Sequence, residues 1–282
     1  MTRSLPATPL FKSNGVPTRA FQKILEICQI NETDFPTIVE LTQKHWRKPG
    51  VAAANVEEKG GHLRTQLLPH FRSLGLVGAP PLGNESAQWG FLLGATYAAI
   101  HKRVAHAAKT WNGGIRWANT AILVNKRKLF TEKQETAAVL AAPVVNGLPF
   151  VPGWVLPETL PALEADLPTY VRAQVGANIP WNRDVSRFHT VVADDKAEGG
   201  HAGTMETLRA CAKQLNPGGN TCFVFSSQPY VLRAIIETQL AFGNRFAHYY
   251  GTGYDDREPE KINVSQTLDE LAKLVFTLSE AT

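Results

Sequence analysis

The chain has 282 residues, 44% hydrophobic and 19% charged, with a net charge of +4. This composition excludes a disordered or fibrous protein, and basic residues spread thinly along the chain exclude a nucleic-acid footprint. Three cysteines without a C-x-x-C pair exclude a disulfide framework. No apolar run nears the roughly 20 residues of a bilayer span, and the opening MTRSLPATPLFKSNG lacks the apolar core of a signal peptide, so a soluble cytoplasmic protein with no membrane partner is expected.

Residues 1–85 read as a helical N-terminal region. VPTRAFQKILEICQ places Phe21, Ile24, Leu25 and Cys28 at helical spacing, with Pro17 suited to a first turn. ETDFPTIVELTQKHWR carries Ile38, Val39, Leu41 and Trp46 in a second helix. A third follows with Leu63, Leu67, Phe71 and Leu74, which Pro69 is expected to kink or restart. GAPPLGNES, Gly78 to Ser86, is a turn-rich linker.

From residue 86 to 282 strand and helix alternate. QWGFLLG is a first strand, TYAAIHKRVAHAAKTW a helix and NTAILVN a second strand. TEKQETAAVLAA is a helix with Thr131 at its N-cap, followed by Glu132 and Gln134. The proline-rich stretch at about 143–180 is expected to be an irregular insertion. RFHTVVADD, NTCFVFSS and RFAHYYGTG then give three more strands, separated by the helices GTMETLRACAKQL and QPYVLRAIIETQLAFG. A last helix, VSQTLDELAKLVFTL, has Ser265 or Thr267 near its cap. Near-continuous apolar strands between helices predict parallel βαβ units with both sheet faces covered. The expected fold is therefore three-layer Rossmann-like α/β with a mostly parallel sheet and an N-terminal helical element.

LNPGGNTCFVFSS brings to mind a late landmark of class I methyltransferases. Their first strand, however, needs an acid followed by a glycine-rich loop, and here it ends LLGATYAAIHKR, with one glycine and no acid before it. The dinucleotide pattern G-x-G-x-x-G is absent too. Pro217-Gly218-Gly219 has a local explanation: glycine accepts a left-handed helix end and proline stops the helix.

Three blocks, spread over most of residues 88–250, resemble the ElyC/SanA/YdcF family, a bacterial Rossmann-like group (domain of unknown function 218). WGFLLGATYAAIHKRVAHAAKTW is similar to its opening strand, Leu-Gly-small turn and Arg-bearing helix. NTAILVNKRKLFTEKQE is similar to its second strand, with an Arg near the strand end and a Glu beyond. GHAGTMETLRACAKQL with TCFVFSSQPYVLRAII is similar to its Thr-x-Glu helix, hydroxyl-ended strand and Arg-bearing helix. This chain departs from the pattern at Ala95, where a second glycine is common, at Thr207, where Asn is common, and at Gln228-Pro229-Tyr230, which replaces a His-containing turn. The departures touch shared catalysis and leave the fold intact. The resemblance implies cell-envelope processes and, in one branch, S-adenosylmethionine binding.

Ligands of open parallel sheets bind beyond the strand C-termini. Gly94, Ala95 and Thr96 make such a strand-to-helix turn, suited to an anion or simply to tight turning. Arg127 follows a strand directly and suits a phosphate or carboxylate, with Glu135 as its partner across the site; Arg103, two turns into a helix, suits either a ligand or a surface face. Thr204 caps a helix or binds a ligand, with Glu206 beside it. Asp194 and Asp195 end a strand and suit a ribose or, with His201 near, a metal, although no metal-ligand spacing is present. Ser226, Ser227, Gln228 and Arg233 form an expected anion cradle, and the nucleophile elbow G-x-S-x-G is missing. Tyr249, Tyr250 and Tyr254 suit a pocket rim, while His101, His106 and His189 read as structural or exposed.

Two functions follow from these residues. One is a transferase or hydrolase acting on a small anionic or nucleotide-like ligand, S-adenosylmethionine among the candidates, with Glu135 and Glu206 catalytic. The other is a non-catalytic ligand- or partner-binding protein. A class I methyltransferase stands third.

Overall fold

The structure is a computed structural model that describes residues 8–49, 56–78, 80, 82–83, 86–132, 134–183, 187–196 and 199–281. The linker at 78–86 falls partly outside them. Two compact units divide the chain. One comprises Met1–Ala79, Gln228–Ile236 and Asp255–Thr282, the other Pro80–Ser227 and Glu237–Tyr254.

The second unit is built on a five-stranded sheet of β1 (Ala87–Leu93), β2 (Trp117–Asn125), β3 (Phe188–Ala193), β4 (Gly219–Ser227) and β5 (Phe246–Tyr254), in the order β3-β2-β1-β4-β5. Every pairing is parallel. The strands are apolar along their length because both faces are covered. On one face α4 (Tyr97–Asn112) and α6 (Leu167–Val175) pack Ile100, Val104, Val171 and Val175 with Leu92, Ile122, Phe223 and Phe225. The preceding residue of β1, Phe91, points to the opposite face, where Phe242 of α8 (Val231–Phe242) lies 5.1 Å from it ring to ring. Helix α7 (Thr204–Gln214) runs against β3 and β2. The result is the three-layer α/β arrangement read from the sequence. Gly90 is required within β1: a β-carbon there would come within 2.8 Å of the Trp117 indole.

In the first unit, α1 (Arg19–Ile27) packs with α3 (Arg64–Ser73), and α2 (Phe35–His45) packs with α9 (Val264–Glu280). Gln43 donates to the Ala272 carbonyl at 2.7 Å across 229 residues of chain. Asp269 accepts from Arg47 at 3.0 Å and from the Lys48 N–H at 2.7 Å. Among the described residues no helix is long and apolar enough to cross a membrane.

Several local expectations need correction. Helix α5 is short, Ala137–Ala141, and its cap is Thr136, which accepts from the Val139 N–H, rather than Thr131. The Phe130 carbonyl takes the N–H groups of Gln134 and Glu135, which closes the chain into a turn before the helix can begin. Asn263 caps α9 by accepting from the Gln266 N–H, and Ser265 and Thr267 lie near it in the first turn, as read from the sequence. Thr204 is the first residue of α7 and Gly203 its cap. Helix α3 continues through Pro69 without restarting. At the end of α7 the left-handed residue is Asn216, with φ 45°, and Gly219 opens β4 instead. The 143–180 stretch holds α6, because Leu167, Tyr170, Val171, Gln174 and Val175 are buried at helical spacing and Pro168 sits in the first turn, where its missing N–H costs nothing.

Candidate functional site

The strand order reverses between β1 and β4, whose neighbours in sequence lie on opposite sides. Such a switch point opens a crevice at the strand C-termini in parallel sheets. Gly94 directly follows β1 and Ser227 ends β4, and Arg103 joins them. Its Nη1 donates to the Leu93 carbonyl at 2.5 Å and the Gly94 carbonyl at 2.7 Å, and its Nη2 donates to the Ser227 hydroxyl at 3.1 Å. Arg103 is therefore a buried residue and not the surface one its helix position allowed. Long helical side chains lean toward the helix N-terminus, which brings a guanidinium two turns into α4 back to the strand end. The neighbouring Ser226 hydroxyl is buried and meets no hydrogen-bond partner among the described residues.

Arg127 lies just past β2, and Glu135 is its partner, as expected. Nη1 meets Glu135 Oε2 at 3.0 Å, and Nε meets Glu164 Oε2 at 3.1 Å. Burial opposes the charge of Arg127, but the two carboxylates outweigh it and raise its pKa. Glu135 also accepts from the backbone N–H of Tyr97 at 2.8 Å and of Phe130 at 2.7 Å. The first turn of α4 thus receives its anion from within the chain, just past Ala95 and Thr96.

Glu164 was not singled out by any motif. It sits in the proline-rich insertion, and a bridge between Lys128 and Leu163 carries it to β2's end, where its N–H donates to the Arg127 carbonyl at 2.8 Å. Burial raises its pKa, against the lowering pull of Arg127 and Arg103. A β-carbon on Gly94 would collide with the Glu164 carboxylate and the Leu123 carbonyl. The glycine at the end of β1 therefore admits a carboxylate of the protein itself. Gly94, Arg127 and Ser227 are joined through Glu164 on one side and Arg103 on the other.

The remaining candidates stand apart from this cluster. Asp194 pairs with Lys126 at 2.7 Å with its side chain exposed, and that bond lowers its pKa. Asp195 lies 3.3 Å from His201. Glu206 accepts from the Gly203 N–H at 2.7 Å; burial pushes its pKa up, but that bond, its own backbone N–H and Lys196 together outweigh burial and the net shift is downward. Gln228 and Arg233 belong to the other unit, where Gln228 donates to the Gly75 carbonyl at 2.9 Å and Arg233 pairs with Glu270. The expected cradle of Ser226, Ser227, Gln228 and Arg233 is thus divided, because both long side chains find partners within their own unit. Among the described residues no group of three or more His, Cys, Asp or Glu could hold a metal ion.

His101 is buried with Nε2 2.8 Å from Gln174 Oε1, and burial lowers its pKa. His106 contacts the Thr252 hydroxyl at 2.9 Å, and its pKa is lowered to about 4 by burial and by Lys109. His189 lies against the Trp89 ring. Tyr249 donates to the Gly243 carbonyl, Tyr250 packs near Phe223, and Tyr254 lies under Lys102. No family model, curated protein or solved structure matches the chain.

Proposed function

We propose that this chain binds a small anionic or nucleotide-like molecule at the C-terminal rim of its sheet, where β1 and β4 part. The carrying observation is the fixed arrangement of Gly94, Arg103 and Ser227 at the switch point. The Ser226 hydroxyl, adjacent on β4 and turned by strand alternation to the opposite face from Ser227, also lacks a partner among the described residues, and buried polar groups ordinarily find partners. Binding without turnover is favoured over catalysis by Glu135 and Glu206. Glu135 is held by Arg127 and two backbone N–H groups, and Glu206 by the start of α7. A transferase or hydrolase reading rests instead on Glu164, whose pKa burial raises toward the range of proton transfer.

S-adenosylmethionine remains a nucleotide-like candidate. A methyltransferase proper is supported least, because β2 ends in Asn125, with Lys126 next in the chain, and the acid offered for a ribose, Asp194, is engaged by Lys126. The test is thermal unfolding with S-adenosylmethionine, adenine nucleotides, sugar phosphates and inorganic phosphate. A true ligand at 100 times its Kd adds about 2.7 kcal/mol, and Ser226→Ala and Ser227→Ala should weaken that gain. A panel in which nothing raises the melting temperature overturns the proposal.

A further inference from the structure

Phe130 spends apolar surface on water. It is 51% exposed, and the other large exposed apolar residues described in the sheet unit, Val145, Val155 and Leu156, are aliphatic. A lone exposed phenylalanine is ordinary; this one is also held rigid. Its N–H donates to Glu135 at 2.7 Å, and its carbonyl accepts from Gln134 at 3.1 Å and Glu135 at 3.0 Å. The Arg127 guanidinium lies 4.1 Å from the ring centroid, and Arg127 is itself clamped by Glu135 and Glu164. Backbone and ring are therefore ordered before any ligand arrives, and an aromatic surface remains open to solvent.

Resting on the reading above, we infer that Phe130 is a stacking platform for the planar base of a nucleotide, which narrows the ligand class from small anions in general. Base stacking on an aromatic ring is strong and tolerant of base identity. A preordered ring loses little entropy on binding, and the guanidinium behind it makes a three-layer stack of cation, ring and base. Arg127 is neutralised by two carboxylates and is a poor lure for phosphate. Lys128, two residues before Phe130, is exposed and has no ion-pair partner among the described residues, so positive charge near the ring is left uncancelled.

The test is calorimetric titration of the full chain with adenosine 5′-monophosphate, ribose 5-phosphate and inorganic phosphate. For Phe130→Ala and Phe130→Leu the monophosphate should bind roughly 5- to 150-fold more weakly, the equivalent of about 1–3 kcal/mol per stacked base. Ribose 5-phosphate binding should not change, and Phe130→Trp should keep or improve the nucleotide affinity. The ring is half exposed, so unchanged urea midpoints will certify the folds. Equal nucleotide affinity in Phe130→Ala, or ribose 5-phosphate binding wild type as tightly as the nucleotide, overturns the platform and leaves the anion site standing. Wild type binding none of the three, and not S-adenosylmethionine, overturns both.

Discussion

The Arg103 guanidinium donates to the Ser227 hydroxyl at 3.1 Å while its other nitrogen serves the last carbonyls of β1. One side chain thus ties together the two strands between which the sheet reverses order. Its loss would leave two strand-end carbonyls without that donor. Arg103→Met is expected to cost about 2–4 kcal/mol and Ser227→Ala about 1 kcal/mol. Arg103→Lys should not restore the wild-type value, because one ammonium cannot reproduce the fork. Urea unfolding followed by tryptophan fluorescence reads this well, since Trp89, Trp111, Trp117, Trp154 and Trp181 all lie in the sheet unit. Equal costs for the two changes would make the hydroxyl, not the carbonyls, the main anchor.

Gly94→Ala should destabilise by about 1–3 kcal/mol through overpacking. Its new methyl meets a carboxylate that can swing away and a backbone carbonyl that cannot. Adding Gly94→Ala to a Glu164→Ala background should therefore still lower the urea midpoint. A neutral Gly94→Ala would contradict the close approach of the Leu123 carbonyl.

Arg127 shields two carboxylates, and Glu135→Gln leaves it one. Arg127→Met should accordingly be the worse change, within the range of about 3–5 kcal/mol typical of a broken buried pair. Its deficit should depend on pH. The folded pKa of Glu164 is already raised, and an acid with a raised folded pKa stabilises at low pH and loses that contribution as pH rises through the folded value. Removing Arg127 raises it further. Unfolding curves of Arg127→Met should lie nearer wild type at pH 5 than at pH 8; a constant gap would show that Glu164 does not feel Arg127.

His101 and His106 are neutral bases held below their ordinary pKa of 6.5. A base with a lowered folded pKa contributes stability above its unfolded value and loses it as pH falls. For His106 the window runs from 6.5 down to about 4. Asp255 and Asp269, lowered from 3.8 by Arg257 and Lys273 among others, add their losses below that window. Wild type should lose on the order of 1–2 kcal/mol to His106 between pH 7 and pH 5. His106→Gln should flatten that slope, and an unchanged slope would assign it to His101 or to other groups.

The order of strands and helices could be read from the sequence alone. Apolar runs of strand length and amphipathic stretches of helix length are local signals, and a parallel sheet follows from their alternation. The same rule brought Gly94, Arg127 and Ser227 to one edge, and the short distance from Arg127 to Glu135 made their pairing legible. Helix starts were less legible: Thr131, Thr136, Ser265 and Asn263 all have the chemistry of a cap, and surrounding hydrogen bonds select among them. Glu164, inward Arg103 and the grouping of α9 with α2 were decided only by the tertiary structure. Each depends on groups brought together from distant parts of the chain or on a side-chain direction that no pattern encodes. Gln228 and Arg233 make the same point in reverse, since their types suited a ligand and their neighbours in space took them first. Periodicity along the chain dictates which segments become strands and helices, whereas the partner of a buried charge is chosen by whichever opposite charge the folded chain brings within a few ångströms.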